Sequence, residues 1–279
     1  MKILKSVPKP QNASAGAPTP KDPNNTFVRT ADILAYPSVD SGGINQLGNY
    51  VLKPGAKLLQ VYGTASKIVS GYESDGDEDA VGVKMKYELS HPGNSVEIRE
   101  FIMAALGEDF IIFQGTCRDT NKTVFGTKCS PMKLKPTGTD NADGTNNMLV
   151  FEQYMRTDQL PYNYMGSLSF TEPFAAADEN LSLLEANGTS YQLPAFVDAL
   201  GTALDVAALD LAHGTVVSLI GDGGSDPAVL SGGVQIGAPE VTVILKEDSD
   251  WTALQNATIS LEVFVAGVNT YLIERNRSL

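Results

Sequence analysis

The strongest structural signal in this chain is the stretch Val81-Gly82-Val83-Lys84-Met85-Lys86-Tyr87-Glu88-Leu89. Apolar side chains occupy every second position, and small or charged side chains stand between them. A period of two is typical of a β-strand that buries one face and exposes the other. The stretch therefore predicts a half-buried strand.

Comparable segments extend in both directions along the chain. Short runs rich in Val, Ile, Phe and Tyr are separated by Gly, Pro, Asn and Asp, a composition that predicts strands joined by turns. The Gly/Asn/Asp/Thr-rich stretch 137–147 reads as a loop between two of these strands. The chain is therefore predicted to be mainly β. The further predicted strands are 57–62, 67–69, 110–113, 123–125, 132–134, 149–154, 216–220, 241–245, 257–264 and 271–273.

One segment has the period of a helix instead. Its apolar residues fall at spacings of three and four, so that they form one stripe on a three-turn amphipathic helix. Asn94 and Glu97 can form a capping box at the start, and Gly107 suits the end. We expect this helix to cover one side of the β-sheet. The predicted core contacts are Ile98, Phe101, Ile102 and Ala105.

Composition divides the chain into three parts. Residues 1–26 are rich in proline and predict a flexible N-terminal arm, or an arm that becomes ordered on a neighbouring subunit. Residues 27–172 predict a β domain, and a Pro/Ala/acid linker from residue 172 to 179 precedes a smaller β-rich domain at 173–279. The linker and the change in composition place the domain boundary at 172/173.

Charge follows the same division. Residues 1–172 contain 17 lysines and arginines against 19 aspartates and glutamates, a net charge of −2. Residues 173–279 contain 3 against 14, a net charge of −11. The overall charge of −13 argues against a protein that grasps nucleic acid, because phosphate binding needs clustered Lys and Arg. It is compatible with a surface past which DNA slides.

The residue types of common catalytic sites are scarce. The two histidines, His91 and His213, and the two cysteines, Cys117 and Cys129, have no metal-ligand or nucleophile–base spacing. The Gly221–Gly224 stretch lacks the Lys-Ser/Thr pair of a phosphate-binding loop. We therefore expect no enzyme, no cofactor and no metal. No apolar run approaches the roughly 20 residues that span a bilayer, and no export signal is visible, so no membrane partner is expected.

One acidic cluster stands out between two predicted strands. Asp75, Asp77 and Asp79 alternate as at the start of a calcium-binding loop, but Ala80 and Lys86 occupy positions where such a loop needs glycine and a bidentate acid. A solvated hairpin tip and an acidic contact remain as alternatives. A lumen-facing feature is the further alternative for this acidic hairpin. Its residues are Glu73, Asp75, Asp77, Glu78 and Asp79.

Several motifs resemble those of one family of structural proteins, the tail-tube (major tail) proteins of bacteriophages and related virion proteins. The C-terminal part looks like a β-rich module carried by several phage surface proteins. The motifs in the N-terminal part are His91-Pro92-Gly93-Asn94, Glu97-Ile98-Arg99-Glu100-Phe101, Gly126-Thr127-Lys128-Cys129-Ser130-Pro131-Met132, Phe151-Glu152-Gln153 and Tyr164-Met165-Gly166. Those in the C-terminal part are Gly214-Thr215-Val216-Val217, Trp251-Thr252-Ala253 and Tyr271-Leu272-Ile273-Glu274.

The resemblance implies a tail-tube-like β-sandwich or barrel with one flanking helix. Such subunits assemble with themselves into rings, commonly hexameric, which stack with other tail proteins into a tube. DNA passes through the tube without specific binding. The implied location is the virion tail, assembled in the bacterial cytoplasm, with the acidic 173–279 segment facing outward.

Two other functions stay open at this point. The chain could decorate a capsid, or it could be a carbohydrate-binding adhesin whose contact residue is Trp251. Against the adhesin, the aromatic residues of the last hundred positions are mostly far apart in sequence.

Overall fold

The computed structural model describes residues 4, 6–9, 16–117, 121–142, 144–197, 202–235 and 240–278. About half of the chain lies in strands, and the described part contains one α-helix. The prediction of a mainly β protein with a single helix is therefore confirmed.

The strands, numbered in chain order, are β1 Asn24–Arg29, β2 Ile33–Ala35, β3 Ser38–Val39, β4 Asn45–Leu47, β5 Val51–Leu52, β6 Leu59–Tyr62, β7 Val69–Asp75, β8 Gly82–Pro92, β9 Asp109–Gln114, β10 Lys122–Phe125, β11 Met132–Asn141, β12 Gly144–Glu152, β13 Tyr162–Tyr164, β14 Phe174–Ala175, β15 Asn180–Leu184, β16 Ser190–Gln192, β17 Asp205–Asp210, β18 Val216–Ile220, β19 Val229–Leu230, β20 Gly233–Gln235, β21 Val241–Ile244, β22 Trp251–Thr252, β23 Thr258–Ala266 and β24 Asn269–Ser278. The helix α1 spans Val96–Ala105, and short 3-10 helices span Thr30–Asp32, Ala65–Lys67, Glu185–Asn187 and Lys246–Asp248.

The chain forms two compact units. Unit 1 contains the described residues up to Arg29, together with 39–45 and 60–164. Unit 2 contains residues 30–38 and 46–59 and the described residues from Met165 onward. The predicted boundary at 172/173 therefore lies inside unit 2, and two early segments that the sequence assigns to the first domain belong to the second unit.

Unit 1 is built on a sheet in the order β13-β10-β9-β11-β12-β8-β7, and β1 pairs with both β9 and β6. The stretch Phe110–Phe113 of β9 is buried on both faces, which explains its uninterrupted apolar sequence. In β8, Met85, Tyr87 and Leu89 are buried while the charged residues between them face outward, as the alternation predicts.

The core of unit 1 surrounds Phe27. Its ring centroid lies 5.1 Å from that of Phe151 and 6.1 Å from that of Phe101 on α1. The helix residues Ile98 and Ala105 are buried in this core, whereas Phe101 and Ile102 are half-buried against it. All four predicted helix contacts thus reach the core.

The start of α1 differs from the prediction in detail. The residue at the N-cap is Ser95 rather than Asn94. The Ser95 side chain hydrogen-bonds the carboxylate of Glu97, which lowers the pKa of Glu97. Gly107 has a φ of 84°, the left-handed conformation expected just after a helix end.

Residues 20–26, which the sequence assigns to the flexible arm, are held on the sheet of unit 1. The amide of Asp22 donates to the carbonyl of Gly115, and β1 begins at Asn24. The Lys21 Nζ donates to Gln114 Oε1 at 3.1 Å and to Ser70 Oγ at 2.9 Å. Burial lowers the pKa of this amine. The end of the predicted arm is therefore held by backbone pairing and by a partly desolvated lysine. Amino-acid composition reveals neither of these contacts.

The predicted loop at 137–147 is instead the outer half of a long hairpin. Strands β11 and β12 pair from Lys133↔Glu152 to Asn141↔Gly144. On its other side β12 pairs with β8 as far as Asn146↔Pro92. The polar composition follows from exposure of this end of the hairpin, not from a lack of strand structure.

Unit 2 is built on a sheet in the order β14-β16-β18-β23-β24-β21-β20. Its inner strand β18 is buried along its whole length, and Leu219 and Leu261 lie in the main core. Trp251 is also in this core and is 0% exposed.

The early segments cover part of this sheet through specific contacts. The Asn49 Nδ2 donates to the Val216 carbonyl at 2.8 Å, and its Oδ1 accepts the amide proton of Ser167 at 2.8 Å. At Gly48, which has a φ of 92°, a Cβ atom would lie 2.9 Å from the Asn276 Cβ. Glycine is required here because of the positive φ and because the side chains of Asn276 and Ser260 leave no room for a Cβ atom.

A buried ion pair lies at the end of β24. The side chain of Glu274 is 0% exposed, and its Oε1 accepts from Arg277 Nε at 2.7 Å. Its Oε2 accepts from the Lys246 amide at 2.8 Å. Burial alone would raise the pKa of Glu274, but these hydrogen bonds outweigh it and lower the pKa.

Candidate functional site

The acidic cluster forms the tip of the β7–β8 hairpin. In this antiparallel pair Glu73 lies opposite Lys84, and Asp75 lies opposite Gly82. Gly76 begins the turn with a φ of 120°, and a Cβ atom there would lie 2.3 Å from the Ala80 carbonyl oxygen. The tight turn thus depends on glycine at this position.

The five acids do not act as one charge cluster. Asp75 Oδ2 lies 3.0 Å from the Nζ of Lys84, and the hydrogen bond and charge of Lys84 lower the pKa of Asp75. Arg156 lies close by, with its Nη1 3.5 Å from the Asp75 carbonyl. Glu73 lies on the strand opposite Lys84, and the other three acids, Asp77, Glu78 and Asp79, are exposed on the turn. Mutual repulsion is therefore confined to the turn itself.

The calcium alternative gains no geometric support. Among the residues that the structure describes, no three His, Cys, Asp or Glu side chains are grouped so that they could hold a metal ion.

The hairpin is continuous with a charged sheet face. Strands β11, β12, β8 and β7 are neighbours, with Lys133↔Glu152, Glu152↔Lys86 and Lys86↔Gly71 in register. The opposite face of the same strands carries Leu134, Phe151 and Tyr87 into the core. The charged side chains of the outer face are Lys84, Lys86, Lys133 and Lys135 together with Glu73, Asp75, Glu88 and Glu152. We call this surface the lysine–carboxylate face.

Most charges on this face are paired. The Nζ of Lys86 lies 2.6 Å from Glu88 Oε1, and that of Lys135 lies 2.7 Å from Glu152 Oε2. Lys133 approaches Asp109 at 2.6 Å. The hydrogen bonds and charges of their carboxylate partners raise the pKa of Lys86 and of Lys135.

Glu152 is the centre of the arrangement. The hydrogen bond from Lys135 lowers its pKa, and the charges of Lys135, Lys86 and Lys84 act in the same direction. One carboxylate therefore serves three lysines that converge from two different strands.

A groove runs along this face. A cavity of about 190 Å³ is lined by Lys84, Lys135, Glu152 and Tyr154, among others. An open depression of about 460 Å³ adjoins it, lined by Asp75, Lys84, Tyr154, Met155 and Arg156. The Lys135 Nζ lies 5.4 Å from the Tyr154 ring centroid, within the range of a cation–π contact.

The other residues considered from sequence have structural contacts. His91 Nδ1 lies 2.9 Å from the Tyr62 carbonyl, and His213 Nδ1 accepts the amide proton of Val265 at 3.0 Å. Both cysteines are free and exposed. Trp251 is fully buried and so offers no surface to a carbohydrate.

Two amides of the Gly221–Gly224 stretch are already bonded within the fold. The amides of Gly221 and Gly223 donate to the carbonyls of Ala257 and Ala253. At Gly224 a Cβ atom would lie 1.9 Å from the Phe196 carbonyl oxygen. These glycines allow close backbone packing, as in the β-turn reading of the sequence.

Sequence reasoning found the hairpin acids but not the face they belong to. The available signal was the spacing Lys84-x-Lys86 and Lys133-x-Lys135, which places both lysines of each pair on one side of a strand. Pairing of these strands through β12 could not be read from the sequence.

Comparison of the chain with protein-family models, with curated proteins and with solved structures gave no match. Within the described residues, the helix α1 falls well short of the length needed to cross a membrane, and no other helix qualifies.

Proposed function

We propose that this chain is a structural subunit of a bacteriophage tail tube, in which copies form stacked rings around a channel for DNA. The observation that carries the proposal is the four-stranded β11-β12-β8-β7 sheet of unit 1. One of its faces packs on the core and the other is polar. Within the described residues, β7 and the outer part of β11 each leave one strand edge unpaired.

The edges lie on opposite sides of this sheet. Among the described residues, β7 pairs only with β8, and β11 contacts β9 only through Met132 and Lys133. The stretch 135–140 of β11 thus has no strand partner on that side within the described part of the chain. Long unpaired edges favour association with further strands, and a monomer usually protects them.

Two different edges on one sheet favour a closed ring. If β7 of one copy pairs with β11 of the next, the contact is head-to-tail, and such contacts generate rings when the rotation closes. Each copy would then add four strands to one continuous sheet, with the lysine–carboxylate face on one side. A ring of about six copies is the symmetry that the family resemblance implies.

This arrangement assigns the acidic hairpin to the channel or to the contact between rings. The exposed acids Asp77, Glu78 and Asp79 extend beyond the paired strands, at the end of the sheet. A negative tip repels DNA phosphates at short range, which suits a surface that DNA passes without binding.

The test is the double variant Tyr72→Lys/Ser74→Lys. Both side chains are exposed on β7, with Tyr72 58% exposed. Lysines on an edge strand oppose pairing with another strand. By negative-stain electron microscopy the wild type should therefore form tubes, and the double variant should form none. The matched control is Val234→Lys, at a 62% exposed position on the edge strand β20 of unit 2, which should assemble normally.

Two results would contradict the proposal. Light scattering that shows only monomers of the wild type at high concentration, across several salt conditions, would refute ring formation. Normal tubes from the β7 double variant would refute the β7 edge as the contact.

A further inference from the structure

Lysines on the lysine–carboxylate face of unit 1 lie beside carboxylates that match their charge. Four lysines and four carboxylates share the lysine–carboxylate face, and Lys84, Lys86 and Lys135 each have a carboxylate oxygen within 3.0 Å. A polar face needs no lysine to remain hydrated, since Ser, Thr and Asn would serve. The pairing therefore requires an explanation that includes the carboxylates.

We propose that the carboxylates of this face mask its lysines from the phosphates of a DNA duplex, so that the duplex passes over the face without being held. This inference rests on the proposed function, because it assigns the polyanion that the face meets. Glu152 is the principal masking residue, and Glu88 is the second.

The physical basis is counterion release. A free lysine that neutralises a phosphate releases a condensed cation, which contributes about −0.9 to the slope of log K against log salt for duplex DNA. A lysine that already holds a carboxylate must first lose this partner, and the exposed carboxylate then lies beside the phosphate. Each pair thus presents no net charge to the duplex, while leaving the face strongly hydrated.

The geometry selects the residues. Glu152 lies between Lys86 on β8 and Lys133 on β11 in register, and it is hydrogen-bonded to Lys135. Glu88 holds Lys86 from the same strand at 2.6 Å. Neutralising both carboxylates would leave Lys86 and Lys135 without the partners that now hold them. An amide keeps the size of each side chain, so the sheet itself should fold.

The experiment measures duplex binding by the full chain. A labelled duplex of about 30 base pairs is titrated with the Glu88→Gln/Glu152→Gln variant, and anisotropy is recorded across a salt series from low to physiological ionic strength. The wild type should show no saturable binding. The variant should bind with a slope near −2, as expected for about two freed lysines at about −0.9 each.

Two matched controls isolate the cause. Glu97→Gln/Glu100→Gln makes the same charge change on the exposed side of α1 and should leave the duplex unbound. Adding Lys86→Gln and Lys135→Gln to the binding variant should abolish binding again. Binding by the α1 control, binding that survives loss of both lysines, or no binding by the Glu88/Glu152 variant would each overturn the inference.

Electron microscopy of the same preparations separates this inference from the proposed function. Tubes together with a variant that fails to bind the duplex would refute the masking alone. Duplex binding by the variant, with only monomers in every preparation of the wild type, would refute the tail tube while the masking of the lysines would stand.

Discussion

Replacing Arg277 with alanine should destabilise unit 2 by about 3 kcal/mol at pH 7, the lower end of the range of about 3–5 kcal/mol for breaking a buried ion pair. The carboxylate of Glu274 is 0% exposed and would keep only the hydrogen bond from the Lys246 amide. The lower end applies because Arg277 is itself 20% exposed, so water reaches part of the pair.

The loss of unfolding free energy caused by Arg277→Ala should increase as the pH rises. In the wild type the folded-state pKa of Glu274 is lowered, so its stabilising contribution is present above the ordinary carboxyl pKa and is lost as the pH falls through the lowered value. Without Arg277, burial dominates and should raise this pKa above its ordinary value. The free energy of unfolding that the variant loses relative to the wild type should therefore grow as the pH rises from about 4, the ordinary carboxyl range, towards 7.

Trp251 makes the measurement specific to unit 2. It is the single tryptophan of the chain and is fully buried in the core of that unit, so its fluorescence in a urea titration reports the unfolding of unit 2. The control is Arg275→Ala on the same strand. Its partner Glu262 is 22% exposed, and pairs of this kind contribute about 0–1 kcal/mol. Equal losses for the two arginine variants, or a loss for Arg277→Ala that does not change between acid and neutral pH, would refute the reasoning.

Two further predictions concern unit 1. Phe101→Ala should cost about 2–3 kcal/mol by circular-dichroism-monitored unfolding, less than the about 3–5 kcal/mol of Phe27→Ala, because Phe101 is only half-buried while Phe27 is 0% exposed. A loss below about 1 kcal/mol would mean that the helix stripe faces solvent. Replacing Asp77, Glu78 and Asp79 with Asn, Gln and Asn should leave the melting temperature unchanged with or without calcium. A calcium-dependent rise in the wild type that this variant lacks would restore the metal alternative.

The spacing of apolar residues in the sequence correctly predicted the type of secondary structure and its buried side in β8 and α1. The alternation from Met85 to Leu89 and the stripe from Ile98 to Ala105 are both confirmed, because a strand or helix that packs on a core must place its apolar residues on one side. Val81, the first apolar residue of the predicted alternation, is instead 63% exposed and precedes the strand. The cap was misplaced by one residue because Asn94 and Ser95 have similar capping ability, and the choice depends on the backbone of the preceding turn.

The sequence was a poorer guide wherever a polar residue has a distant partner. The stretch 137–147 has the composition of a loop, yet residues 137–141 pair with β12, and residues 144–147 of β12 pair with β11, so both segments are strand. Asn49 gives no sign in the sequence that it bonds to Val216 and Ser167, so residues 46–59 were assigned to the wrong unit. The lysine–carboxylate face was missed because it forms only when β12 pairs with β8, and these two strands are distant in sequence.

The chain passes repeatedly between the two units, and this has a consequence for its synthesis on the ribosome. Residues 30–38 and 46–59 leave the exit tunnel early, but β18, β23 and β24, the strands that complete the sheet of unit 2, follow only after the whole 60–164 segment of unit 1. Unit 1 can therefore form its core before Ile220 has been synthesised. Until then, the apolar side chains of Ala35 and Val51, which pack with Ile220 in the folded unit, stay exposed. A nascent chain in this state is a natural client for chaperones, and slowing of translation within 165–220 should prolong that exposure.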